Sequence, residues 1–324
     1  MYKLATKEAW TGRTDTHDGA LGLRWHQAIQ NLDLSKAIPT VASGDIAFAF
    51  LGFCCDEGVS RNMGRTGAVA GPGAIRTAMA SFAHHLPEHI KLYDAGDVLC
   101  TNHKLEEAQE QLGRKIAALL AHGYRPLVLG GGHEIAFGHY LGLEQATEGK
   151  TLGILNFDAH FDLRSYAQQS SSGTPFLQIA DRCHEKGNAF KYKVVGLQEY
   201  GNTRILFQAA NRLGVKYTFA EEVHYHNLPQ LTKSLHGFLD SVDKLYITVD
   251  MDVFAAGYAP GVSAVNALGL QPDVVLALLK MAAHSGKLLS IDIAELNPTH
   301  DIDNRTAKLA AGILYQVVSN WSKV

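Results

Sequence analysis

The chain has 324 residues, 46% hydrophobic and 19% charged, with 31 glycines and 9 prolines. That balance excludes a largely disordered or fibrous protein and allows one large core or two small ones. A formal net charge of −3 gives no electrostatic reason to expect nucleic acid or an anionic membrane as partner. No stretch approaches the roughly 18 unbroken apolar residues of a membrane helix, and the start MYKLATKEAW lacks the basic-then-apolar layout of a signal peptide. Four cysteines, Cys54, Cys55, Cys100 and Cys183, predict reduced thiols in a cytoplasmic protein rather than a disulfide framework. Buried structure is the plain reading of the adjacent Cys54 and Cys55. Sixteen histidines are the compositional oddity and point toward metal or proton chemistry.

In chain order, short apolar runs rich in β-branched and aromatic residues predict strands at 45–53, 90–97, 125–131, 151–158, 191–197, 215–220, 244–250 and 287–293. Helical patterns fill most of the intervals. The segment 105–123, for example, puts Leu105, Ala108, Leu112, Ile116 and Leu119 on one stripe and closes on Gly123, a helix-ending residue. Near-continuously apolar strands alternating with helices predict a three-layer α/β fold, a mostly parallel eight-stranded sheet covered by helices on both faces. No Pro/Gly/Ser-rich linker or internal repeat divides the chain, so residues 1–324 read as one domain. Ligands of such sheets bind beyond the carboxyl ends of the strands.

Those ends are loaded with chemistry. The 125–131 strand runs into GGGHE, whose glycines allow a tight turn and close approach, leaving His133 at a helix start. A phosphate loop is the weaker reading, because no Lys-Ser/Thr follows. After the 151–158 strand, Asp158, His160 and Asp162 recur at every second position, on one side if the backbone stays extended. Asp250 and Asp252 repeat the pattern after the 244–250 strand. An Asx-turn explains one such aspartate but poorly explains both, and like charges so close repel unless a cation neutralises them. Two histidines and four aspartates from three strands suit two dications, and their oxygen-rich donor set favours Mn²⁺ over Zn²⁺. Two such ions roughly 3.5–4 Å apart share a bridging water and lower its pKa, the signature of a binuclear metallohydrolase.

The same residues resemble the arginase superfamily, the ureohydrolases. Gly131-Gly132-His133, Asp158-Ala159-His160-Phe161-Asp162, Asp250-Met251-Asp252 and Glu295-Leu296-Asn297-Pro298 follow one another in that family's order across most of the chain. The resemblance implies an arginase-like fold and two Mn²⁺ per subunit on His133, Asp158, His160, Asp162, Asp250 and Asp252. It further implies a bridging hydroxide nucleophile and a flat amidine or guanidine substrate whose cationic nitrogens pair with Glu295. Asp162 is then the group that returns a proton to the departing nitrogen. Trimers or hexamers are also implied.

Several details point away from arginase itself. Phe176 stands about where arginases carry a proton-transfer histidine, and Ala255 replaces a third aspartate. The segments WTGRTD, CDEGVSRNMGRTGAVAGPGAIR, HFDLR, SSGTPF and DVFAAGYAPGVSA resemble an amidine-cleaving branch whose substrate carries two carboxylates. Arg164, two residues past Asp162, is the first candidate to read a carboxylate, because a guanidinium makes a bidentate pair that an amide cannot. Ser172 matches a family serine at a carboxylate. Arg61 and Arg65 are further candidates. The rivals are arginase, agmatinase or guanidinobutyrase activity, a non-catalytic metal protein, and a zinc deacetylase on a similar frame.

Overall fold

Residues Ile46–Cys54 read IAFAFLGFC and are buried almost throughout. Phe48 and Phe50 enter one core, whereas Ala47, Ala49, Leu51 and Phe53 enter another. A strand apolar on both faces must lie inside a sheet covered on both sides. The computed structural model, which describes residues 1–323, has that form.

The first third of the chain supplies β1 (Tyr2–Lys3), α1 (Trp25–Ala28), β2 (Gln30–Asn31), β3 (Ile46–Cys54), α2 (Glu57–Arg61), α3 (Gly71–Ala80) and β4 (Ile90–Leu99). The middle supplies α4 (Leu105–Ala121), β5 (Tyr124–Leu129), α5 (Ile135–Ala146), β6 (Leu152–Phe157), α6 (Pro175–Glu185) and β7 (Lys191–Leu197). It closes with α7 (Arg204–Leu213), β8 (Lys216–Phe219), α8 (Leu228–Asp240), β9 (Lys244–Asp250), α9 (Pro272–Ala283), β10 (Leu288–Ala294) and α10 (Arg305–Trp321).

The eight strands expected from the sequence are β3 to β10. They form one sheet in the order β4-β3-β5-β10-β9-β6-β7-β8, every pairing among them parallel. The sequence gives no warning of β1 and β2, two-residue strands that pair with β4 and are too short to show a period. One core lies under α3, α8, α9 and α10, the other under α4 to α7. The predicted helix 105–123 stops at Ala121, and Gly123 then takes φ +86°, the left-handed conformation that ends a helix.

The chain leaves β5 on one side of the sheet's centre and re-enters at β6, leaving room for β10 and β9 between them. This reversal of strand order opens a crevice at the carboxyl ends of β5, β10, β9 and β6. Glycines make the entry possible. Gly130, Gly131 and Gly132 donate their N–H groups to Ile293, Phe53 and Cys55 carbonyls at 2.7, 2.9 and 3.0 Å, threading between the ends of β3 and β10. A Cβ on Gly131 would collide with the Cys55 carbonyl oxygen.

Gly131→Ala should therefore destabilise the fold by about 1–3 kcal/mol, as overpacked sites do, and displace His133 two residues on. Denaturant unfolding checks the first effect; a midpoint equal to wild type would show that the approach is not tight.

Candidate metal centre and substrate pocket

His133 lies just before α5, and its backbone N–H donates to Glu295 Oε1 at 2.8 Å. Its Nδ1 faces Asp158 Oδ2, Asp162 Oδ2 and Asp250 Oδ2 at 3.1, 3.0 and 3.1 Å. Alongside, His160 Nδ1 lies 3.5 Å from Asp158 Oδ1 and 3.2 Å from Asp252 Oδ2. All six expected ligands thus meet. Five of them form two overlapping clusters, His133–Asp158–Asp250 and Asp158–His160–Asp252, with Asp158 in both, and Asp162 joins the first through His133.

The route to convergence differs from the expectation of an extended run. β6 ends at Phe157, and residues 158–162 are irregular. Asp158 Oδ1 accepts from the His160 N–H at 2.7 Å, turning the chain, and Asp162 reaches the cluster with φ +49°. Asp250 likewise accepts from the Asp252 N–H at 2.7 Å. Turn-forming and cation-facing roles fall on the same aspartates, one oxygen for each. Glu295 also has a left-handed backbone, φ +66°, fixed by its N–H donating to the Gly131 carbonyl at 2.8 Å. Positive φ in a non-glycine residue is uncommon and concentrates at functional sites.

Electrostatics favour a cation. Burial drives the Asp250 carboxyl well up, with Asp252 and Asp158 adding to it, and burial with Asp158 raises Asp162. Burial raises Asp158 too, but His133 and His160 outweigh it and hold that carboxyl low. Burial alone would discharge His133 and His160, yet the surrounding carboxylates lift both rings well above the usual range. His133 Nδ1 and Asp252 Oδ1 are buried without a hydrogen-bond partner. Orphaned ligand atoms, aimed into a nest of carboxylates, fit two divalent cations better than they fit protons alone.

Above the cluster opens a cavity of about 340 Å³, lined by His133, His160, Asp162, Asp250, Asp252 and Glu295 and, toward its mouth, by Asn62, Arg65, Arg164 and Ser172. Burial, then the charge of Glu134, pushes Glu295 up to about 8. The Arg164 side chain lies across Gly173, and among the described residues its guanidinium has no carboxylate partner. The Ser172 hydroxyl is held by Asn62 Nδ2 at 3.3 Å.

Arg61 does not belong to this pocket. Glu57 and Glu106 pair with it at 3.0 and 2.6 Å, and the Ser170 and His103 carbonyls take further donors. Its donors are committed to tying α2 to neighbouring loops. Arg65 occupies the mouth instead, held through neutral carbonyls of Ser263 and Val262 at 2.9 and 2.7 Å, so its charge stays unbalanced. Phe176 is fully buried, stacked 4.3 Å from Tyr192 and edge-on to the His133 ring at 5.4 Å. It offers nothing to a proton. A larger cleft of about 830 Å³ opens at the amino ends of β6 and β7, away from this chemistry, where Lys186 and Arg182 are paired with Glu144. Asn62, Asn202 and Ser263 are polar pocket residues that sequence reasoning missed, because isolated side chains of this kind in irregular segments carry no periodic or motif signal.

Two cation sites sharing an aspartate at the mouth of a parallel sheet define a binuclear metallohydrolase. Comparison with known proteins narrows the class: residues 46–319 match the arginase family, and the chain belongs to it. It is 42% identical over 328 residues to the formimidoylglutamase of Clostridium tetani, covering 100% of this chain and 97% of that one. With the Chromobacterium violaceum formimidoylglutamase it shares 46% over 314 residues, covering 97% and 98%. Trypanosoma cruzi formiminoglutamase with two Mn²⁺ superposes with a TM-score of 0.76 at 28% identity, covering 87% of this chain and 96% of that one. No helix among the described residues is long and apolar enough to cross a membrane.

Asp158→Ala removes the carboxylate common to both clusters and should strip most bound Mn²⁺, read by elemental analysis of purified protein; full metal content would exclude the shared-aspartate arrangement. Proton linkage gives a second expectation. The raised histidines of metal-free protein stay charged at neutral pH, so Mn²⁺ must displace protons and bind more tightly as pH rises. Calorimetry in buffers of different ionisation enthalpy should register that release. By the same linkage, the stability that charged His133 and His160 give metal-free protein is complete below the ordinary histidine pKa of about 6.5. It declines as pH climbs through their raised values.

Proposed function

We propose that this chain hydrolyses N-formimidoyl-L-glutamate to formamide and L-glutamate, as a single arginase-like domain with two Mn²⁺ per subunit. The observation that carries the reading is one pocket that opens on the His/Asp cluster and joins it to Glu295 and two guanidiniums, Arg65 and Arg164, without carboxylate partners among the described residues. Relatives named formimidoylglutamase at 42% and 46% identity support the choice of substrate.

His133, Asp158, Asp162 and Asp250 would hold one ion, and Asp158, His160 and Asp252 the other. When bound, such a pair supplies Lewis acidity and a water of lowered pKa at neutral pH. The protein's own groups do the rest. Glu295 pairs with the substrate amidinium, whose positive charge holds the buried carboxylate ionised. Arg164, Arg65 and the Ser172 hydroxyl read the two glutamate carboxylates at the mouth. Water adds to the formimidoyl carbon, the bond from that carbon to the glutamate nitrogen breaks, and Asp162 passes a proton to that nitrogen. With Phe176 sealed in the core, Asp162 performs the transfer without a shuttle histidine.

Guanidine hydrolysis by an agmatinase is the poorer reading, because agmatine has no carboxylate for the guanidiniums to meet. A homo-oligomer in the cytoplasm, with no nucleic-acid or membrane partner, completes the proposal.

The test is a panel of formimidoylglutamate, arginine, agmatine and guanidinobutyrate with Mn²⁺. Formamide release from the first alone is expected; faster turnover of a guanidine would overturn the assignment. On formimidoylglutamate, Arg164→Ala and Arg65→Ala should each raise KM and lower kcat/KM about tenfold or more, since a hydrogen bond to a charged group contributes about 1.5–3 kcal/mol. Manganese content should stay unchanged, because arginine does not ligate the ion. Arg61→Ala should leave KM near wild type and lower thermal stability instead.

A further inference from the structure

Behind His133, away from the pocket, lies a chain of buried polar groups that the proposed reaction does not use. His133 Nε2 is 2.9 Å from Thr248 Oγ1, which donates to Asp292 Oδ1 at 2.5 Å. Asp292 Oδ2 accepts from the Tyr246 hydroxyl at 2.5 Å and meets His139 Nδ1 at 2.6 Å. His139 Nε2 lies 2.7 Å from Ser290 Oγ, which donates to the Pro126 carbonyl at 2.8 Å. Thr248, Asp292, Tyr246, His139 and Ser290 are all fully buried.

Proton counting orders the chain. A hydroxyl has one proton to give. Thr248 gives its proton to Asp292, so its oxygen can only accept from His133, and Nε2 must carry the hydrogen. That leaves Nδ1 as the nitrogen available to a cation, facing Asp158, Asp162 and Asp250. Asp292 is fixed in turn: the Tyr246 hydroxyl donates to its Oδ2, and His139 Nδ1 meets the same oxygen. His139 is held from its far side by Ser290 Oγ, whose proton goes to the Pro126 carbonyl.

We infer that His139 and Asp292 together orient the Thr248 hydroxyl and so lock His133 in the tautomer that presents Nδ1 to Mn²⁺. They are positioning residues, acting through Thr248 without touching substrate. The inference rests on His133 being a metal ligand, as proposed above. Such outer partners fix ring orientation and raise ligand basicity, and their loss typically costs about 10- to 100-fold in metal affinity.

The experiment titrates Mn²⁺ into chelator-stripped wild type and into Thr248→Val, Thr248→Ser and Asp292→Asn, read by calorimetry and electron paramagnetic resonance. Wild type should take two ions. Thr248→Val should weaken one of them about 10- to 100-fold, and Thr248→Ser, which keeps the hydroxyl, should recover most of the loss. In Asp292→Asn the amide can donate to Thr248, reverse its hydroxyl and offer His133 the wrong tautomer, so one ion should again weaken. Wild-type protein that takes up no Mn²⁺ would overturn the metal assignment and this inference together. Two tight ions in wild type and in both Thr248→Val and Asp292→Asn would overturn the relay alone. Should a buried variant fail to fold, ¹⁵N-histidine correlation spectra of wild type loaded with diamagnetic Zn²⁺ still decide: hydrogen on His133 Nε2 is expected, and hydrogen on its Nδ1 would refute the inference.

Discussion

Everything at the carboxyl face of the sheet answers to one electrostatic constraint, four aspartates and two histidines packed within van der Waals reach of each other beneath a pocket. Three carboxylates lie within 3.1 Å of His133 Nδ1. In a dry interior, like charges so close are tolerated only when something positive sits among them. The histidines do this in part by taking up protons. A pair of divalent cations does it fully, which makes the site a stronger acid–base device when loaded than when empty. The cluster is an energetic liability that the surrounding fold keeps assembled.

That liability explains why the nearby backbone departs from regular structure. Asp162 and Glu295 hold left-handed conformations at φ +49° and +66°. Each is pinned by a bond to a neighbouring strand end or loop: Glu295 N–H to the Gly131 carbonyl at 2.8 Å, and the Phe176 N–H to the Asp162 carbonyl at 3.3 Å. Strain of about 1–3 kcal/mol at such a residue persists only where the surroundings over-determine it. Here the surroundings are two hydrophobic cores whose largest side chains, among them Phe48, Phe50, Phe157 and Tyr246, have no exposed surface. Phe176 belongs to the same logic. Stacked on Tyr192 and set edge-on to His133, it stops that ring from rotating away from the carboxylates.

How much of this could be read from the sequence follows from the range of each interaction. Buried parallel strands announce themselves locally, by apolar runs bounded by polar residues, and all eight long strands were legible on that basis. The convergence of the six candidate ligands was legible too, because they follow directly on those runs. The reason given for their convergence was incomplete: a period of two presumes extension, whereas Asp158 and Asp250 turn the chain with one oxygen and face the site with the other. Arginine roles were harder. Arg61 and Arg65 lie four residues apart in one glycine-rich stretch, and only the fold shows that the first ends α2, claimed by Glu57 and Glu106, while carbonyls from residues 262 and 263 hold the second. Asp292, an acid within a buried strand, was not read at all, because its partners come from 44 and more positions away.

Specificity and chemistry are consequently separated by depth. At the floor, the aspartates and histidines form a charge set able to serve many amidine and guanidine substrates, since nothing in it recognises more than a planar carbon between nitrogens. In the proposed assignment, recognition of what the carbon is attached to would fall to the mouth, where Arg164 is exposed and Arg65 is anchored by neutral carbonyls. Anchoring by carbonyls orients a guanidinium without neutralising it, so its full charge remains for a ligand carboxylate, as Glu57 and Glu106 do not allow for Arg61. The floor can therefore stay constant while exchanges at a few loop positions change the substrate. A branch of one fold family that swaps guanidine for a dicarboxylic amidine needs no new metal chemistry, only cations placed at the rim and left unpaired.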